Sequence, residues 1–160
     1  MPRLLIVWHS LTGGSEQMAR AAANAGDEVD ILLRHAADAG PDDLLGADGY
    51  VFACPENLAS MAGVMKDFFD RTYYPVLGRI EGRPYATMIC AGSDGEGAAR
   101  QIARIAKGWR LKTVAEPLII CTRAQTPDAI LAPKIIAETD LARCRELGAM
   151  LAAGLAMGIF

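Results

Sequence analysis

Several features that would assign a function at once are missing from this sequence. Its basic residues form no cluster: 16 Lys and Arg are scattered against 19 Asp and Glu, for a net charge of −3, so the electrostatic footprint of a nucleic-acid binder is absent. No apolar run reaches the ~20 residues that a membrane-spanning helix needs, and the uncharged C-terminal run Leu147 to Phe160 falls well short. The N-terminal run Leu4 to Trp8 is shorter than the roughly 7 to 15 residues of a signal-peptide core, and no cleavage-like site follows it, so export is not expected. Cys54, Cys90, Cys121 and Cys144 include no CxxC pair, and the first three sit in or beside apolar runs, where cysteine behaves as a small hydrophobe. Structural thiols in a reducing cytoplasm are the expectation. Neither G-x-x-x-x-G-K-[ST] nor G-x-G-x-x-G occurs, which argues against a P-loop triphosphatase and against the dinucleotide fingerprint. Linkers, repeats and low-complexity stretches are lacking too, and residues 1–160 are expected to form one domain.

What is present is apolar and regularly punctuated. Hydrophobic residues make up 52% of the chain and charged residues 22%, enough for a sizeable core. Short runs rich in apolar residues recur at Arg3 to Trp8, Glu28 to Leu33, Tyr50 to Cys54, Tyr85 to Ala91 and Pro117 to Cys121, mostly without polar alternation, as in strands buried on both faces. Between them lie helical stripes: Met18, Ala21, Ala22 and Ala25; Met61, Val64, Met65 and Phe68; Ala98, Ile102, Ile105 and Trp109; and Leu141, Cys144, Gly148, Leu151 and Leu155. The short segment Pro41 to Gly46 has the makings of a helical turn. Strands alternating with helices imply right-handed crossovers and an open, mostly parallel sheet covered on both faces, an α/β architecture. In the last helix, Gly154 and Gly158 would permit close approach of a second helix or simply burial of the helix end on the sheet.

In such sheets ligands bind beyond the carboxyl ends of the strands, so three loops are of interest. The first, S-L-T-G-G-S, combines the hydroxyls of Ser10, Thr12 and Ser15 with Gly13 and Gly14, and leads into the first helix. A helix start offers unpaired N–H groups to an anion, although the same residues are ordinary caps and turn formers. No Lys or Arg lies between His9 and Met18, so any phosphate here would rest on amides and hydroxyls. The second loop, from Pro55 to Ala59, is too polar and broken to continue the third strand, and the next helix is expected to start at Ser60 or Met61. The third, G-S-D-G-E-G, interleaves Gly92, Gly95 and Gly97 with Ser93, Asp94 and Glu96, which suits either a flexible turn or amides lying close against a flat ligand. His9 at a strand end is given no chemical role, and Tyr73 and Tyr74 are expected to pack locally.

Taken together, these motifs resemble the flavodoxin-like superfamily, and particularly its short FMN-binding NAD(P)H oxidoreductases of the quinone and flavin reductase groups. Ser10 to Ser15 matches that family's [ST]-x-T-G-x-[ST] phosphate loop, and Ala59 to Gly63, leading to Phe68-Phe69-Asp70-Arg71, resembles its second flavin loop and helix. The resemblance implies a three-layer α/β/α domain whose five-stranded parallel sheet has the order 2-1-3-4-5. It implies FMN, with the phosphate against Ser10, Thr12, Gly13, Gly14 and Ser15. Pro55, Glu56, Asn57 and Leu58 would border the ring, and Gly92, Ser93, Asp94 and Gly95 would close its other side.

It further implies NADH or NADPH as electron donor and a small quinone, flavin or similar acceptor, with no catalytic side chain and no metal, because the flavin carries the chemistry. A homodimer or homotetramer is left open. The second and third loops contain no aromatic residue to sandwich the ring, which fits a hydride-accepting enzyme better than a shielded electron carrier of the flavodoxin type. That carrier remains the alternative. A receiver-like regulatory domain would need clustered carboxylates where Trp8-His9 and Cys54-Pro55 stand.

Overall fold

The computed structural model describes all 160 residues. Its organising element is β1 (Arg3–Trp8), whose four interior residues Leu4, Leu5, Ile6 and Val7 are fully buried. Alternate side chains leave opposite faces of a strand, so this unbroken apolar run can be buried only if both faces are covered. They are. Leu5 and Val7 join Tyr50, Phe52, Phe68, Phe69, Ile102 and Trp109 on one face, while Leu4 and Ile6 join Met18, Val51, Met88, Cys144 and Leu151 on the other.

On either side of β1 lie β2 (Asp30–His35) and β3 (Gly49–Asn57), both parallel to it, with Trp8 opposite His35 and Ala53. Beyond β3 comes β5 (Pro84–Ala91). The far edge is a strand in two pieces, β6 (Lys112–Thr113) and β7 (Leu118–Cys121), each parallel to β5. Pro117 falls in the interruption and has no N–H to donate to a ladder. Counting the split edge as one strand, and setting aside a two-residue strand that folds back on β3, the five parallel strands have the expected order 2-1-3-4-5. The helices α1 (Gly14–Ala23) and α6 (Glu138–Met157) cover one face; α3 (Gly63–Val76) and α4 (Glu96–Gly108) cover the other, with the short α2 (Pro41–Leu45) beside α3.

The expected second strand is displaced by two residues, to Asp30–His35. Its start is pinned by Asp30, which donates its amide to the Pro2 carbonyl at 2.8 Å and pairs through its carboxylate with Arg3 at 2.7 Å. A larger departure lies after β3. The strand does not stop at Cys54 but runs through Pro55 to Asn57, then turns back into β4 (Ser60–Met61), antiparallel to it. The helix therefore begins at Gly63, not at Ser60 or Met61. Local sequence favoured a loop; tertiary hydrogen bonds prevail, since Gln101 Oε1 accepts from the Met61 amide at 2.8 Å and Gln101 also bonds the Ser60 hydroxyl.

Close approaches occur at two glycines of α6. A side chain at Gly148 would overlap the Ala22 carbonyl of α1, so the two helices touch through backbone there, and a side chain at Gly154 would overlap the chain's own Phe160 ring. Gly154 is thus covered from within the chain, whereas Gly158, the C-cap of α6 at φ 66°, has nothing near it. Tyr73 stacks on Trp109 at 5.5 Å between ring centroids, a local contact, while Tyr74 is exposed.

Candidate functional site

The loops after β1, β3 and β5 converge at the carboxyl end of the sheet. In the first, Ser10 Oγ accepts the Gly13 amide at 3.0 Å, and Gly13 takes φ 94°, a left-handed conformation that directs the chain into α1. Gly14 lies flush on β5: a Cβ there would stand 2.6 Å from Cys90 Sγ. The first turn of α1 thus presents bare backbone, with amides that have no intrahelical acceptor. Ser15 is 2% exposed, and its Oγ has no hydrogen-bond partner. Leaving a buried hydroxyl unmatched costs about 1–3 kcal/mol, so such a group in a native loop calls for a ligand or water to complete it.

Behind this loop the buried His9 meets the half-buried His35. The Ala37 amide donates to His35 Nδ1 at 3.1 Å, which places the His35 proton on Nε2; that nitrogen then donates to His9 Nδ1 at 3.1 Å. Burial, and secondarily the neighbouring His35, push the His9 pKa below its ordinary 6.5, so the residue under the loop is neutral. The thiol of Cys90 is pushed up to about 11 by burial, and that of Cys54 to about 12, so neither is a nucleophile. All four cysteines are free.

The second and third loops are tied together by Glu56. Its carboxylate does not face the cleft freely: Oε1 accepts the Gly95 amide at 2.9 Å and Oε2 the Ala98 amide at 3.1 Å, so it caps the N-terminus of α4. Gly95 has φ 90° and leaves no room for a side chain, which would come within 2.5 Å of Ile119. At the tip of the β3–β4 hairpin, Leu58 (φ 53°) and Ala59 (φ 62°) both adopt left-handed backbone, the geometry of a two-residue hairpin turn. Non-glycine residues are strained there by about 1–2 kcal/mol each. Leu58 is fully exposed.

Between the loops lies a cleft of about 120 Å³, to which Thr12, Pro55, Glu56, Asn57 and Gly92 contribute. Of the first loop only Thr12 lines it, while Ser10, Gly13, Gly14 and Ser15, like Leu58, Ser93, Asp94 and Gly95, stand outside; Ser93 and Asp94 are exposed. This volume is below the roughly 300 Å³ of an enclosed ligand site, so a ligand with a large flat ring would rest on the rim. A larger depression of about 650 Å³ beside Tyr85, Lys107 and Arg110 is at the amino end of β5, away from all three loops.

One wall was not legible in the sequence. The segment from Thr122 to Ile136, with the short helix α5 (Pro127–Leu131), straps across the cleft and contributes Thr122, Ala124, Ile130 and Lys134. Gln17 holds it down: its Nε2 donates to the Gly13 carbonyl at 2.8 Å and the Lys134 carbonyl at 2.7 Å, and its Oε1 accepts the Ile136 amide at 3.0 Å. The Lys134 amide in turn donates to the Thr12 carbonyl at 2.8 Å. Contacts spanning more than 100 residues leave no local pattern to read.

Comparison with known proteins places these features in context. Residues 41–123 match the model of a family described as NADPH-dependent FMN reductase, which is just over half of the chain. A flavodoxin from Aquifex aeolicus is 29% identical over 108 residues, covering 64% of this chain and 56% of that protein. An NAD(P)H dehydrogenase (quinone) from Acidithiobacillus ferrooxidans is 35% identical over 95 residues, covering 45% of this chain and 48% of that protein. The chain thus matches about half the length of these relatives. Among solved structures, a flavodoxin from the domain Archaea superposes with a TM-score of 0.77 at 20% identity, covering 96% of this chain and 98% of the other, a likeness of fold.

Proposed function

The chain belongs to the NADPH-dependent FMN reductase family, and from that premise we propose that it is an FMN-dependent oxidoreductase that draws electrons from NADH or NADPH and passes them to a quinone, a flavin or a similar small acceptor. The observation that carries the cofactor reading is the buried, unpartnered Ser15 Oγ in the first turn of α1, where bare amides also converge. A phosphate monoester satisfies both kinds of donor: its oxygens accept from hydroxyl and amide alike, and its charge is favoured at the positive end of a helix. Ser10, Thr12, Gly13, Gly14 and Ser15 would hold that phosphate.

Bound FMN would supply acceptance of a hydride and its onward delivery as electrons. The chain's residues bind and orient. The backbone of Pro55, Glu56 and Asn57 would border the ring on one side, with Leu58 at the strained tip offering an apolar edge that sheds water. Gly92, Ser93, Asp94 and Gly95 would border the other, and the capping bonds of Glu56 keep the two walls at a fixed separation. Because neither loop carries an aromatic side chain, one ring face stays open for donor and acceptor in turn. The likeness to a flavodoxin favours a second reading, a carrier that exchanges electrons only with protein partners.

Anaerobic mixing of the FMN-loaded chain with NADH, and separately with NADPH, tests the choice. Loss of the yellow absorbance with at least one donor, and its return on adding a quinone, is the expected result. A protein that stays yellow with both donors removes the reductase reading and leaves the carrier.

A further inference from the structure

The loop assigned to the phosphate has no cation of its own between His9 and Met18, yet the fold delivers one from the strap. The backbone of Lys134 is fixed to the loop from both sides, through its amide to the Thr12 carbonyl at 2.8 Å and through its carbonyl to Gln17 Nε2 at 2.7 Å. Its ammonium makes no ion pair. Instead Nζ folds back onto the neutral carbonyls of Ile130 at 2.8 Å and Ala132 at 2.6 Å, at the end of α5. Lys134 lines the cleft together with Thr12 and Gly92. A lysine without an ion pair, anchored through its backbone to Thr12, and an orphaned buried hydroxyl at Ser15 therefore meet at the same loop.

Resting on the FMN reading, we propose that Lys134 is the charge partner of the cofactor's phosphate, and that the strap carrying it makes the site select FMN over the unphosphorylated flavin. On binding, Nζ exchanges neutral carbonyl acceptors for anionic oxygens, which form hydrogen bonds roughly twice as strong. The freed carbonyls belong to Ile130 and Ala132, both exposed, and turn to water without a buried penalty. Gln17, bonded to both strap and loop, keeps the strap in register over the phosphate.

The test is titration of the flavin-free full-length chain with FMN and with riboflavin, followed by flavin fluorescence at low and raised salt. Lys134→Gln is expected to weaken FMN roughly tenfold or more, in line with hydrogen bonds to charged groups, and to flatten the salt dependence of FMN binding. It should leave riboflavin within about twofold, and Lys134→Arg, which keeps the charge, should retain most FMN affinity. Equal FMN affinity in the wild type and Lys134→Gln overturns the role of Lys134 while leaving the cofactor reading intact. An equal loss for FMN and riboflavin also overturns it, because that pattern reports strap packing rather than charge. A wild-type chain that binds no FMN overturns the cofactor reading, and this inference with it.

Discussion

Replacing Gly14 with Ala probes the phosphate loop at the point where it touches the sheet. The added methyl would lie 2.6 Å from Cys90 Sγ, against 3.5 Å from the nearest atom of Ile136. Ordinary contacts between such atoms are about 3.5–4.0 Å, so α1 or β5 has to yield by roughly 1 Å. Cys90 cannot swing aside cheaply, because it is 7% exposed and held in β5 between β3 and β7. Overpacking of this kind costs about 1–3 kcal/mol. With about 2–4 °C of melting temperature per kcal/mol for a chain of this size, a mid-range cost of about 2 kcal/mol lowers Tm by about 4–8 °C.

The double variant Gly14→Ala/Cys90→Ala gives the reasoning its specificity. Removing the sulfur leaves the Cys90 Cβ 3.7 Å from the new methyl, an ordinary contact. A thermal denaturation cycle over the wild type, both single variants and the double variant should return a favourable coupling of about 1 kcal/mol or more. FMN affinity should fall in Gly14→Ala and recover partly in the double variant, as the first turn of α1 regains its position. A Gly14→Ala protein that melts with the wild type, or additive losses in the cycle, would refute the close approach of α1 to β5.

The other expectations are narrower. Ser15→Ala removes an unmatched buried hydroxyl, so the flavin-free protein should be as stable as the wild type or up to about 1 kcal/mol more so in urea denaturation, while FMN binds several-fold more weakly. Glu56→Ala takes away the acceptors of two α4 amides and should cost about 1–2 kcal/mol, seen as a lower urea midpoint, with Glu56→Gln intermediate. The folded-state pKa of His9 lies below 6.5, so the unfolded chain takes up this proton first. Its contribution to stability is therefore full above about pH 6.5, is lost as pH falls from there through the lowered folded value, and loses nothing further below it. Urea midpoints measured from pH 8 to 5 should decline in that window, and His9→Gln should flatten the decline; an unchanged slope would contradict a lowered His9 pKa.

How much of this was legible depended on the range of the interactions involved. The runs around β1, β3 and β5 were readable because strands covered on both faces must be apolar at every position, and α1 and α4 because their stripes follow the helical period. Leu58 and Ala59 gave no warning of their turn: neither residue favours positive φ, and the hairpin exists because Gln101, some 40 positions away, bonds Ser60 and Met61. Glu56 lines the cleft, but its partners at Gly95 and Ala98 belong to a different crossover and left no mark in the local sequence. The cation beside the first loop was invisible for the same reason, since Gln17 meets Lys134 across 117 residues.

FMN should bind at the loops after β1, β3 and β5. Adding FMN to the flavin-free chain, dialysing, and recording the visible spectrum tests it directly. A yellow protein that retains about one FMN per chain, and gives up riboflavin more readily, is the predicted result. A protein left colourless by dialysis would contradict an FMN site at these loops.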